Sequence, residues 1–320
     1  MKRLMLYLVL LVLITSQFLF SQFLSWDTQI IVKKTQDDIQ FSSVAVSDFG
    51  YIYLLENTRH EIYRVDYDGN VLNVMGGFGW EEGQLDTPKD ITLSSGLDVI
   101  VADYNNHRLV RFDRYLNYLS TYPSIELNNE IGYPLSVAVS SLGDLYVLDE
   151  ENSEIIRILP GRNEEIRFGG FGSGEFALNK PTHIRTDNKN SIYALEIDCR
   201  IIRFDRFGNP LDVIQPQYEV EHKAFTAVNN HILALNEDEP YIISYSLKRA
   251  EWKTIPTDNE VSLASYVSIT SNGDNIVLLK PDGVIDIYRL LQNYDNESIP
   301  FYTSAASCCR RIDRLSRFQF

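Results

Sequence analysis

The chain is short of cysteine, of basic charge and of long apolar runs, and each shortage removes a class of protein. Three cysteines in 320 residues cannot build the disulfide framework of a small secreted scaffold, and the number is odd. Cys308 and Cys309 are neighbours, where a mutual bridge would be strained. A bridge from Cys199 to either would tie the tail to the body, and three thiols are the alternative. No C-x-x-C pair occurs, so a zinc site of that spacing is excluded. Against 44 acids stand 29 bases, a formal charge of −15. A chain this acidic lacks the basic footprint that nucleic acid requires. The balance suits a protein partner or a cationic or neutral ligand, and it favours solubility.

One unbroken apolar run exists, residues 4–14, directly after Lys2 and Arg3. It is shorter than the roughly 20 residues that span a bilayer, and no stop-transfer segment follows. Residues 1–22 therefore read as an export signal cleaved between Ser16 and Gln22, with an uncleaved anchor as the alternative. After cleavage no integral span is expected, and the mature protein is expected in the periplasm or outside the cell.

What the chain does have is a repeat. A short apolar strand ending in an acidic or polar residue recurs at residues 52–56 (IYLLE), 99–103 (VIVAD), 145–149 (LYVLD) and 192–196 (IYALE). Looser copies lie at 232–236 (ILALN) and 276–280 (IVLLK). Their final positions are 47, 46, 47, 40 and 44 residues apart, a period that accommodates four short strands per unit. A second strand follows each copy, at 61–66, 108–113, 154–159, 200–205, 241–246 and 284–289, rich in Ile, Val, Tyr and Phe as half-buried strands are. Turn residues close the unit at Asp68-Gly69-Asn70, Pro160-Gly161 and Gly208-Asn209. Upstream of the phrase lie inner strands such as 88–93, 134–139 and 181–186. Six such units cannot bury their faces alone, and radial stacking gives them a shared core.

The second copy carries the fullest pattern: Gly76, Gly77 and Gly79, then Gly83, Pro88, Ile91 and residues 101–103, ending in Asn105, Asn106, His107 and residues 108–113. The fourth repeats much of it, with Gly169, Gly170, Gly172, Gly174 and Pro181, whereas copies five and six lack the glycine loop. These residues resemble the NHL-repeat family over roughly residues 28 to 290. The resemblance implies an all-β, six-bladed propeller with four-stranded antiparallel blades. We place it at residues 28–300, with a tail at 301–320. A ring needs closure, and residues 29–32 stand where an N-terminal strand would complete the sixth blade. The segment around Ile299 and Phe301 is the competing choice.

The candidate site residues follow from this alignment. Asp90, Ser136 and His183 occupy comparable places on three inner strands, so they could face one ligand in the central channel. His60 and His107 each fall four residues after the phrase-ending acids Glu56 and Asp103, at equivalent corners where a structural role leads. The resemblance extends to propeller lyases with zinc-holding histidines and to calcium-dependent lactonase-like propellers. The other corners here carry Ser153 or Pro240 instead of histidine, and no cofactor is expected outside that enzyme reading. The glycine loops lack the Lys-Ser/Thr ending of a phosphate loop and read as turns between blades.

The phrase-ending acids Glu56, Asp103, Asp149 and Glu196 should emerge on one rim with Glu150, Asp238, Trp80 and Phe171. This makes an acidic face with exposed aromatics, suited to docking or simply to solvation. The tail reverses the sign, with Arg310, Arg311, Arg314 and Arg317 against Asp313. The resulting expectation is an exported, non-catalytic binding scaffold. The alternatives are a metal-dependent lyase or lactone hydrolase working at the channel, and a structural subunit of a cell-envelope complex.

Overall fold

A computed structural model describes residues 24–34, 36, 38–94, 98–123, 131–159, 165–216, 222–236, 242–255 and 265–290. Residues 1–22, read above as an export signal, the tail with Cys308 and Cys309, the turn at Pro160 and Gly161, and Asp238 lie outside the described residues.

Strand β1 spans Leu24–Ile31. Blade one follows as β2 (Phe41–Val46), β3 (Tyr51–Glu56), β4 (Glu61–Asp66) and β5 (Val71–Gly76). Blade two is β6 (Pro88–Leu93), β7 (Val99–Asp103), β8 (Arg108–Phe112) and β9 (Tyr118–Tyr122). Blade three is β10 (Pro134–Val139), β11 (Leu145–Asp149), β12 (Glu154–Ile158) and β13 (Glu165–Phe168). Blade four is β14 (Pro181–Thr186), β15 (Ile192–Glu196), β16 (Ile201–Phe204) and β17 (Pro210–Ile214). Blade five is β18 (His222–Val228), β19 (His231–Asn236), β20 (Ile242–Ser246) and β21 (Glu251–Ile255). Blade six supplies β22 (Ser268–Asn272), β23 (Asn275–Leu279) and β24 (Val284–Leu290). Its fourth strand is β1, hydrogen-bonded antiparallel to β24 with Ile30 opposite Ile285 and Leu24 opposite Leu290. The N-terminal strand thus closes the ring, and it begins at Leu24 rather than at residue 28.

Period-two alternation explains why these strands stack. Successive side chains of a strand point to opposite faces, and in blade one both faces are covered. Ile52 and Leu54 of β3 pack with Val277, Leu279 and Ile285 of blade six. Tyr53 and Leu55 pack the other way, with Ile91, Val99 and Val101 of blade two. A strand buried on both sides reads as a continuous apolar run, which is the form of the recurring phrase. Its tyrosine adds a tie between blades: the Tyr53 hydroxyl donates to Arg114 O at 2.8 Å, and Tyr146 donates to Arg206 O at 3.1 Å. Turns after the third strands share another device. Asp66, Asp113 and Asp205 each accept the amide four residues on, from Asn70, Asn117 and Asn209, at 2.8 to 2.9 Å.

Glycine is required where the closing strand passes the body. A Cβ on Gly69, whose φ is +80°, would stand 2.1 Å from Ile31 O. A Cβ on Gly76, at φ +123°, would stand 2.3 Å from His60 O, so the first glycine loop leaves β5 only through a glycine.

Candidate functional site: the channel and its two rims

Register places one residue of each inner strand at the same height around the axis. Ser43, Ser136, His183, Ala224 and Ser268 are paired with Leu55, Leu148, Leu195, Leu235 and Leu279 respectively, and Asp90 precedes Ile91, which is opposite Val101. The three channel candidates do therefore share one ring. They share it as a plug. Asp90 Oδ1 accepts the Ser43 hydroxyl at 2.9 Å and the Ile91 amide at 3.0 Å. Asp90 Oδ2 accepts the Ser136 hydroxyl at 2.6 Å, the Val137 amide at 3.2 Å and Arg185 Nη1 at 2.8 Å. One buried carboxylate thereby links blades one to four. Burial alone would raise its pKa, but the Arg185 and His183 fields and the Ser136 hydrogen bond outweigh that and hold the carboxyl below its usual range.

His183 is partly exposed as a residue, while its Nδ1 is buried and takes no hydrogen bond. Desolvation, helped by the nearby Arg185 cation, pushes its pKa down to about 4. Arg185 was absent from the sequence candidates. The equivalent residues of the other inner strands are Ala45, Thr92, Ala138, Thr226 and Thr270. A lone arginine among small residues was the signal.

The phrase-ending acids require a correction. Glu56, Asp103, Asp149 and Glu196 are at most 2% exposed and contribute nothing to an acidic surface. Each is a tie for the loop that enters its blade or turns its corner. Asp149 accepts the Gly132 and Tyr133 amides at 3.1 Å, and Glu196 accepts those of Asn179 and Lys180 at 3.1 Å. Asp103 takes the Asp86 amide at 2.6 Å and Arg108 Nε at 2.7 Å. Burial pushes the Asp103 carboxyl up despite these bonds. Unsatisfied amides at a buried loop entry are costly, so an acid at the strand end is structural here.

His60 and His107 do the same work at their corners. His60 Nδ1 accepts the Thr87 amide at 2.7 Å, and His107 Nδ1 lies 2.6 Å from Gly132 O. Both have positive φ, 61° and 53°. Neither lines the channel cavity.

What remains on that rim is a different surface. Asn106 Nδ2 holds Gly79 O at 2.8 Å, and Arg108 holds Trp80 O at 2.8 Å and Gln84 O at 2.9 Å. The glycine loop is pinned through its main chain and presents Phe78 and Trp80, 66% and 74% exposed. Phe171, in the second glycine loop, is 96% exposed. Around them Glu81, Glu82, Glu150, Glu151 and Glu175 are exposed. Among the described residues these five make no ion pair. Glu150 accepts the Tyr104 hydroxyl, a bond that pushes the tyrosine pKa up to about 12. Described residues bring together no group of three or more His, Cys, Asp or Glu suited to a metal ion. None of their helices is long and apolar enough to cross a membrane.

Comparison with known proteins agrees with this architecture. The NHL repeat model matches residues 85–112 and 132–158, on blades two and three. Over 139 residues the chain is 32% identical to protein brain tumor of Drosophila melanogaster, covering 42% of this chain and 13% of that protein. Over the same length it is 27% identical to the B-box type zinc finger protein ncl-1 of Caenorhabditis elegans, covering 16% of that protein. The matched stretch is thus a small part of either relative. Among solved structures, a catalytically inactive variant of virginiamycin B lyase from Staphylococcus aureus, with quinupristin, superposes with a TM-score of 0.58 at 15% identity. That match covers 82% of this chain and 99% of the lyase. A streptogramin B lyase gives a TM-score of 0.57 at 15% identity, over 82% of this chain and 98% of that one. At this identity the likeness is one of fold. Six four-stranded blades, a ring closed by the N-terminal strand and the matched repeats together make the chain an NHL-repeat six-bladed β-propeller.

Proposed function

We propose that the protein is an exported recognition propeller that docks a cationic protein segment on the rim carrying the glycine loops. The observation that carries this reading is the pairing of a pinned loop bearing exposed Phe78 and Trp80 with five exposed carboxylates that make no ion pair among the described residues. A rigid aromatic anchor loses little conformational entropy on binding, and unpaired acids steer a basic partner. Residues 1–22 would direct export and the mature chain would act in the periplasm or outside the cell. The test uses the full mature chain as bait beside the Trp80→Ser/Phe171→Ser variant, with quantitative mass spectrometry. A basic protein retained by the wild type and lost by the rim variant supports the reading. Identical retention by the two baits contradicts it.

A second reading has one observation in its favour, the likeness in fold to virginiamycin B lyase. Under it the protein is a lyase acting at the channel mouth, with His183, a neighbour of Asp90 in the inner-strand ring, as the candidate base. Consumption of quinupristin followed by liquid chromatography separates the two readings. The recognition reading expects none.

A further inference from the structure

Opposite the glycine-loop rim, the inner-strand hairpin turns surround a cavity of about 410 Å³. Below it lies the inner-strand ring, in which Ser43, Asp90, Ser136, Ala224 and Ser268 are between 0% and 5% exposed and His183 is partly exposed. The walls are the inner edges of the six blades. Each inner strand is the last in its sheet, so one edge lacks a neighbouring strand, and unpaired edge groups seek hydrogen-bond partners. Thr92 and Thr270 line the same space, and among the described residues their hydroxyls bond to no protein group.

Arg185 stands on the floor of this cavity with part of its side chain exposed. All its hydrogen bonds leave from Nη1, to Asp90 at 2.8 Å, Ser136 at 3.2 Å and Ile184 O at 2.8 Å. The Nε and Nη2 edge is left without a protein partner among the described residues, and that edge is the fork that takes a carboxylate in two parallel hydrogen bonds. Two acids, Asp187 and Asp274, also line the mouth. Asp187 accepts the Lys189 and Ser191 amides at 2.9 and 2.8 Å and the Tyr193 hydroxyl at 2.8 Å. Asp274 accepts Asn229 Nδ2 at 3.0 Å.

We propose that this cavity binds a small polyhydroxylated carboxylate, its carboxyl group on the Nε/Nη2 edge of Arg185 and its hydroxyls on Thr92, Thr270 and the strand edges. The volume lies in the range of small-molecule sites. The site is on the face away from the docking rim, so it stands or falls independently of the docking reading.

Three probes with one carbon skeleton test it on the full mature chain by calorimetry: D-gluconate, D-glucose and D-glucosamine. Gluconate is expected to bind in the millimolar range or tighter, and glucose and glucosamine at least about tenfold more weakly. Arg185→Lys keeps a cation for Asp90 but loses the fork, and should weaken gluconate about tenfold or more. Thr270→Val, which leaves the plug untouched, should weaken it severalfold and serves if the lysine variant does not fold. Gluconate that fails to bind, that binds no better than glucosamine, or that binds undiminished to a folded variant overturns the proposal.

Discussion

Asp90 is the residue on which the most structure converges, because its carboxylate reaches groups on four blades. Removing one partner of a buried ion pair leaves the other uncompensated, at a cost of about 3–5 kcal/mol. Asp90→Ala should therefore lower the urea midpoint by that equivalent. The double variant Asp90→Ser/Arg185→Thr, which installs residue types found at the same height in other blades, should recover most of the loss. An additive double variant would contradict the coupling. His183 gives a second residue-scale expectation. Its folded pKa of about 4 lies below the unfolded value of 6.5, so the unfolded chain binds more protons between the two. Stability should be full above pH 6.5 and should fall as the pH drops toward 4. Because His183 is a partly exposed residue, the loss is about 2 kcal/mol. His183→Ser should flatten this slope in denaturant titrations run at pH 7, 5.5 and 4.5, and an unchanged slope would remove His183 as its source. Asp90, with its carboxyl held below its usual range, contributes at lower pH. His222, which burial also holds below the usual histidine value, adds to the same window, so the difference between wild type and His183→Ser is what isolates His183.

At the scale of elements, the sequence made the strands visible because two-sided burial writes them as apolar runs, and it made the closing strand visible through the position of Ile30 and Ile31. It hid the role of the acids that end those runs. An acid after an apolar strand ordinarily meets solvent, but Asp149 and Glu196 are covered by the loop arriving from the preceding blade. That contact joins residues 16 or 17 apart through tertiary structure, which local pattern does not encode. Arg185 was hidden similarly, since its partner Asp90 is 95 residues away. The closing strand supplies a test at this scale. Ile30 is 3% exposed and packs with Val277, Leu279 and Ile285, so Ile30→Ala should cost about 2–4 kcal/mol. Leu72→Ala, on the outer strand of blade one and 46% exposed, should stay within about 0.5 kcal/mol. Equal effects in thermal melts would mean that β1 does not close the ring.

For the whole molecule, the ring has two unlike faces. One presents aromatics and acids that make no ion pair among the described residues, the other a polar cavity, with Asp90, Ser136 and Arg185 between them. Exposed Trp80 should act as a binding hot spot and not as a stability element. Trp80→Ser should leave the melting temperature within about one degree of wild type while weakening a rim partner by about 2 kcal/mol or more. Hydrogen–deuterium exchange on the propeller with its retained partner bound addresses the central claim most directly. Protection concentrated in residues 76–87 and 169–180 is the expected result. Protection confined to the opposite turns at residues 47–50 and 187–191, or absent from both glycine loops, would contradict it.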